Sequence, residues 1–122
     1  MTDIKSYFSI EEFHCPCGYC NNSFFVISQT LLYRLNLVRD KLQEPIIISS
    51  GFRCAQHNEF VGGTSDSSHT KGLAADINIP DNAYRFKILP LLLDQFNRIG
   101  ILKKGIHVDV ETFKPSGRIW VK

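Results

Sequence analysis

The chain is expected to fold as an α+β domain, a small and mainly antiparallel sheet with helices packed on it. Three observations carry that expectation. Residues 28–43 repeat apolar side chains at helical spacing, residues 45–50 and 73–79 form short strand-like runs, and residues 98–110 read as two strands joined by a tight turn. At 122 residues the chain can bury about two-thirds of its unfolded surface in one domain spanning 1–122.

The elements follow in order. "SQTLLYRLNLVRDKLQ" sets Leu31, Leu35, Val38 and Leu42 along one helix face, with Leu32 widening the stripe and Ser28 placed to cap the first turn. Pro45 ends that helix. "PIIISS" then reads as a continuous β-branched run, expected to be a strand covered on both faces. Residues 51–72 are polar and carry Gly51, Gly62, Gly63 and Gly72. They are too long for a turn, and loops beyond about 12 to 15 residues inside a compact domain are usually functional.

"LAADINI" is the next strand, with Ala74, Asp76 and Asn78 on one face and Ala75, Ile77 and Ile79 on the other. An aspartate among small alanines is not placed there for packing. Residues 82–95 read as a helix capped by Asp81 or Asn82, which Pro90 either kinks or divides. "RIGILKKGIHVDV" reads as a hairpin and "RIWVK" as a final strand.

Composition excludes several function classes. With 43% hydrophobic and 21% charged residues the chain is ordinary globular material rather than a disordered segment. Fourteen basic against twelve acidic residues leave a net charge of +2, and no basic run exceeds Lys103-Lys104, so a nucleic-acid partner is not expected. No apolar stretch is long enough for a membrane span, and "MTDIKSYFSIEEF" lacks a signal-peptide pattern. The expectation is a monomer made in the cytoplasm without a signal peptide.

Four cysteines stand at 15, 17, 20 and 54, three of them within "HCPCGYC". Reducing conditions in the cytosol lean such a cluster toward metal binding. Cys-x-Cys-x2-Cys is not a standard zinc-ribbon spacing, however, and His14 or His57 are alternative ligands. A structural metal held by Cys15, Cys17, Cys20 and Cys54, disulfides among them, and plain buried thiols all stay open.

A second constellation comprises His69, Asp76 and His107. Two imidazole nitrogens and one carboxylate oxygen are a zinc ligand set that leaves a fourth position open in catalytic sites. His69 and Asp76 are not spaced as a helical pair, so a turn must bring the loop back over the strand, and Gly72 supplies it. In "GIHVDV" the period of two sets His107 and Asp109 on one face, with Ile106, Val108 and Val110 on the other. The alternative is a half-exposed strand with solvated polar side chains.

"SGFRCAQHNEFVGGTSDSSHTKGLAADI" together with "GIHVDV" resembles the zinc D-alanyl-D-alanine peptidases, the M15 peptidases, and within them the short single-domain phage and bacterial branch. The matching elements are Ser50-Gly51-x-Arg53, His57-Asn58, Val61-Gly62-Gly63, Ser68-His69-x2-Gly72-x-Ala74-x-Asp76-Ile77 and His107-x-Asp109. The likeness runs from "YFSIEEFHC" to "RIWVK".

The resemblance implies a hedgehog/DD-peptidase-like fold and one catalytic Zn²⁺ held by His69, Asp76 and His107, while the cysteine set leaves room for a second, structural ion. It implies that Arg53 reaches the substrate carbonyl or carboxylate, and that Asn58 and Ser68 border the substrate while fixing the loop. The substrate it implies is peptidoglycan, cut at an amide bond of a stem peptide or cross-link after holin-type or other lytic release. In one respect the chain departs from the family. Several branches carry an acid three residues before the last histidine ligand, where this chain has Lys104. A lysine is a poor base near neutral pH, so the role passes to Asp109, His57 or Asp66, or is lost. The second reading is therefore a catalytically weak or inactive zinc-binding module of the same fold.

Overall fold

Two amphipathic helices cover one face of a five-stranded sheet in residues 6–122, the part of the chain that the computed structural model describes. Helix α1 (Gln29–Leu42) begins where Ser28 Oγ accepts the Leu31 N–H at 3.2 Å, and it ends at Gln43 in the left-handed region, φ 58°. Its stripe of Leu31, Leu35, Val38 and Leu42 is buried, as the spacing predicts. Each such side chain contributes about 1.5–3 kcal/mol of hydrophobic stabilisation.

After a six-residue helix, α2 (Ala55–Phe60), comes α3 (Asn82–Gln95), which Asp81 caps by accepting the Tyr84 N–H at 2.8 Å. Tyr84, Ile88 and Leu92 of α3 join the α1 stripe in the core. The helix runs through Pro90 without a break. Proline deprives the Phe86 carbonyl of its donor, and Phe86 lies on the solvent side of the helix, 82% exposed.

The strands are β1 (Ile48–Ser50), β2 (Ala74–Asn78), β3 (Arg98–Leu102), β4 (Gly105–Asp109) and β5 (Arg118–Val121), in the order β1-β2-β4-β3-β5. Every pairing is antiparallel except β3 with β5. The mainly antiparallel α+β expectation holds.

Two expectations need correcting. "PIIISS" is not a strand covered on both faces: only Ile48–Ser50 pair, at the sheet edge, and Ile47 is 58% exposed while Ile46 is buried. A continuous β-branched run marks affinity for a core without saying how many neighbours the strand finds. Residues 51–72 are not one loop either, since they hold α2 and a short 3-10 helix at Ser68–Lys71. Both are single turns or little more, and α2 is capped by the Cys54 sulfur, a residue outside the usual capping set.

Strand alternation sorts the sheet into two faces. Ala75 and Ile77 of β2, Ile99 of β3, and Ile106 and Val108 of β4 point into the core beneath α1 and α3. The opposite face carries Asp76, His107, Asp109, Arg98 and Gly100. Register aligns Ser50, Asp76, His107, Gly100 and Trp120 in one row across all five strands. Among the described residues no helix is long and apolar enough to cross a membrane.

Candidate metal centre

The row across the sheet brings Asp76 and His107 side by side, and the 3-10 helix at Ser68–Lys71 lowers His69 onto them. Gly72 makes this possible: it closes that helix in the left-handed region, φ 70°, and returns the chain into β2. Nε2 of His69 stands 3.3 Å from Oδ1 of Asp76, and Nδ1 of His107 stands 2.9 Å from the same oxygen. One ligand atom from each of the three residues lies within 4.8 Å of the others.

Both imidazoles are turned by partners behind them. His69 Nδ1–H donates to the Gly51 carbonyl at 2.7 Å. A carbonyl can only accept, so Nδ1 carries a proton and Nε2 is the ring nitrogen turned to Asp76. Asp109 Oδ2 lies 2.8 Å from Nε2 of His107, which leaves Nδ1 to face Asp76. Two nitrogens and one carboxylate oxygen, each imidazole backed by an acceptor on its far side, are a donor set that fits Zn²⁺.

Electrostatics in the cluster favour charge separation. Burial works against ionised Asp76, but hydrogen bonds from His107 and His69 outweigh it and hold the carboxyl well below the usual carboxylate range. Burial likewise disfavours protonated His107, yet the hydrogen bonds to Asp109 and Asp76 leave its pKa raised. Asp109 is held low, burial being overcome by the His107 ring and the Glu111 backbone N–H.

Arg53 completes this corner. Its Nε donates to Ser50 Oγ at 3.2 Å and its Nη1 to Asn58 Oδ1 at 3.1 Å, while Nη2 lies 3.6 Å from Asp76 Oδ2. Burial pulls the guanidinium pKa below its ordinary value, an effect Asp76 partly offsets, and the group stays cationic. Asn58 is itself anchored by donating to the Thr64 carbonyl at 2.8 Å. These side chains edge an open depression of about 220 Å³ whose rim includes Lys114 and Lys122.

The other sequence candidates fall in different places. Ser68 borders the depression, but its hydroxyl donates to Glu111 Oε1 at 3.1 Å. His57 lies outside the depression on α2, its ring stacked against Phe60 at 6.3 Å. Asp66 is 71% exposed in its side chain, where it is hydrogen-bonded to Thr64 and stands 4.0 Å from Lys114. Lys104 sits in the β3–β4 turn, beside a separate depression with Arg85. Cys15, Cys17, Cys20 and Cys54 come together as free thiols in a cluster of their own, sharing no ligand with the three-residue site.

Four contributors escape a reading of the sequence. Trp120 lies against His107 with centroids 5.5 Å apart, and Arg98 both stacks on Trp120 at 5.0 Å and binds Asp109 Oδ1 at 2.8 Å. Gly100 makes room for that indole, since a Cβ there would lie 2.7 Å from Trp120 Nε1. Glu111, its side chain fully buried, accepts from Lys71 and Ser68 and so pins the 3-10 helix that carries His69. The equal parity of Arg98, Gly100 and Leu102 in β3 was the available signal, but cross-strand register was needed to use it.

The sequence model of the family described as Peptidase M15 matches residues 6–110. No curated protein matches the chain.

Proposed function

Because the chain belongs to the Peptidase M15 family, we propose that it is a zinc-dependent peptidase that hydrolyses an amide bond in peptidoglycan stem peptides or cross-links, of the DD-carboxypeptidase, endopeptidase or endolysin type. The observation that carries this reading is the convergence of His69 Nε2, Asp76 Oδ1 and His107 Nδ1 at one end of an open polar depression. These three residues would hold the ion. Bound there, zinc supplies Lewis-acid polarisation of the scissile carbonyl and activation of water.

The chain's own groups do the rest. Arg53, held by Ser50 and Asn58, presents a fixed cationic fork to a developing oxyanion or a peptide carboxylate. Lys114 and Lys122 on the rim suit an acidic peptide, as a stem peptide with several carboxylates is. Trp120 walls the far side of His107 and limits water there.

Asp109 acts as a positioning residue for His107 rather than as the general base. Its Oδ2 meets the ring, and its Oδ1 accepts from both Arg98 Nε and the Glu111 N–H. With Asp76 in the ligand set, no uncommitted carboxylate lines the depression among the described residues. Hydrolysis adds a hydroxyl to the carbonyl carbon and a proton to the leaving amine, and that proton travels through solvent in the open depression.

The same commitment of both carboxylates, with Lys104 far around the hairpin, favours a second reading as a weakly active or inactive zinc-binding module. Digestion of purified murein with mass spectrometry of the products separates the two. Muropeptide cleavage that chelation abolishes and added zinc restores is the expected result. Cleavage by a metal-free preparation would overturn the zinc reading, and zinc binding without any released amine would establish the module.

A further inference from the structure

We propose that Cys15, Cys17, Cys20 and Cys54 form a second, structural Zn²⁺ site that fastens the N-terminal segment to the start of α2. The four sulfurs all lie within 4.8 Å of one another. The pair Cys17 and Cys54 are 3.8 Å apart. A tetrahedron with Zn–S bonds of about 2.3 Å has sulfur-to-sulfur edges of about 3.8 Å, whereas a disulfide requires about 2.05 Å. The Cys17–Cys54 edge has the length of a four-thiolate zinc site, and the remaining edges stay within 4.8 Å.

A second, independent observation points the same way. Each sulfur accepts at least one backbone N–H: Cys54 N–H to Cys15 at 3.4 Å, Cys20 N–H to Cys17 at 3.4 Å, Asn22 N–H to Cys20 at 3.3 Å, and His57 N–H to Cys54 at 3.4 Å. Thiols are weak acceptors, and four donors aimed at four sulfurs is an arrangement that stabilises thiolates, the form that binds metal.

The backbone is wound to produce it. Gly18 between Cys17 and Cys20 is in the left-handed region at φ 83°, and Asn21 and Asn22 follow at φ 53° and 54°. Asn22 ties the loop off by accepting the Cys15 N–H at 2.7 Å and donating to the Cys15 carbonyl at 3.2 Å. Three consecutive ligands are thereby turned inward toward the fourth.

Little else holds this segment. Tyr19 and Phe24 are exposed, and between residues 14 and 25 only Cys15 is buried. A bound metal offsets the ordering entropy that so little apolar burial leaves uncovered. The alternative ligands are occupied otherwise: the His14 ring packs on Phe25 at 4.6 Å and the His57 ring on Phe60. Since Cys54 adjoins Arg53, the site also fixes the backbone from which that guanidinium projects.

The test uses the full chain carrying His69→Ala and Asp76→Ala, which leaves the cysteines as the only clustered ligands among the described residues. Expected are one zinc equivalent retained after desalting, its release on titration of four thiols with an organomercurial, and thiolate-to-cobalt charge-transfer absorption after exchange with Co²⁺. Adding Cys17→Ser and Cys20→Ser should remove metal and absorption together. No retained metal, a cobalt spectrum lacking the thiolate band, or an intact mass lowered by disulfide formation would overturn the proposal. Because the parent variant keeps all four cysteines, the result stands even if the serine variant fails to fold.

Discussion

Asp109 lies directly behind His107, Oδ2 at 2.8 Å from the ring Nε2, while Nδ1 of the same ring faces Asp76 Oδ1 at 2.9 Å. One strand thus supplies a proposed ligand and the group that turns it. Loss of such an outer partner typically costs about 10–100-fold in metal affinity. Asp109→Asn should weaken zinc binding by about that factor, measured by chelator competition, with murein hydrolysis at saturating zinc falling much less. Abolished hydrolysis with zinc affinity intact would instead mark Asp109 as the general base.

His69→Ala removes a proposed ligand whose ring is locked by the Gly51 carbonyl. Murein hydrolysis should vanish and the protein should lose one zinc equivalent, while circular dichroism keeps the signal of α1 and α3. Retained hydrolysis would show that the cluster is not the catalytic centre.

Arg53→Lys keeps the charge beside Asp76 but loses the fork that bonds Ser50 and Asn58. A drop of about 10²-fold in kcat/KM is expected, the scale of losing one oxyanion donor, with metal content unchanged. Wild-type kinetics in this variant would reduce Arg53 to a loop tether.

Gly100→Ala places a methyl 2.7 Å from Trp120 Nε1. Trp120 must leave His107, and overpacking of this kind costs about 1–3 kcal/mol. As Trp120 is the single tryptophan, its fluorescence should shift along with a lowered Tm. An unchanged emission spectrum would mean that the indole is not seated on the sheet.

Glu111 gives stability a defined pH dependence. Burial pushes its carboxyl up, but Lys71, the Phe113 N–H and Ser68 together pull it below the ordinary value. A depressed carboxylate contributes stability that is fully present above its unfolded pKa of about 4.3 and is lost as pH falls through the folded value. The Tm gap between wild type and Glu111→Gln should therefore be widest near neutrality and close below about pH 4. A gap constant across that range would mean that the Lys71 pair adds nothing.

Much of the frame was legible in the chain. Helices α1 and α3 announced themselves because their signals are local: an apolar stripe at 3.6-residue spacing in α1, and Ser28 and Asp81 as caps. Pro90 left continuity open in the sequence, and the helix continues because the one lost hydrogen bond falls on its wet side. The edge position of β1 and the short α2 were not legible, because an apolar run does not count its neighbours and a cysteine is an unusual cap.

For the candidate centre, residue types and family likeness singled out His69, Asp76 and His107, and alternation put His107 and Asp109 on one strand face. Only tertiary structure decided that Asp109 backs His107, that α2 turns His57 away from the depression, that Trp120 and Gly100 interlock, and that Cys54 meets Cys15, Cys17 and Cys20. The physical reason is one of range. Periodicity, capping and turn chemistry act within a few residues and are written into consecutive letters. Cross-strand register, imidazole orientation and the convergence of distant sulfurs are set by which segments pack together, and exist only once the sheet has closed.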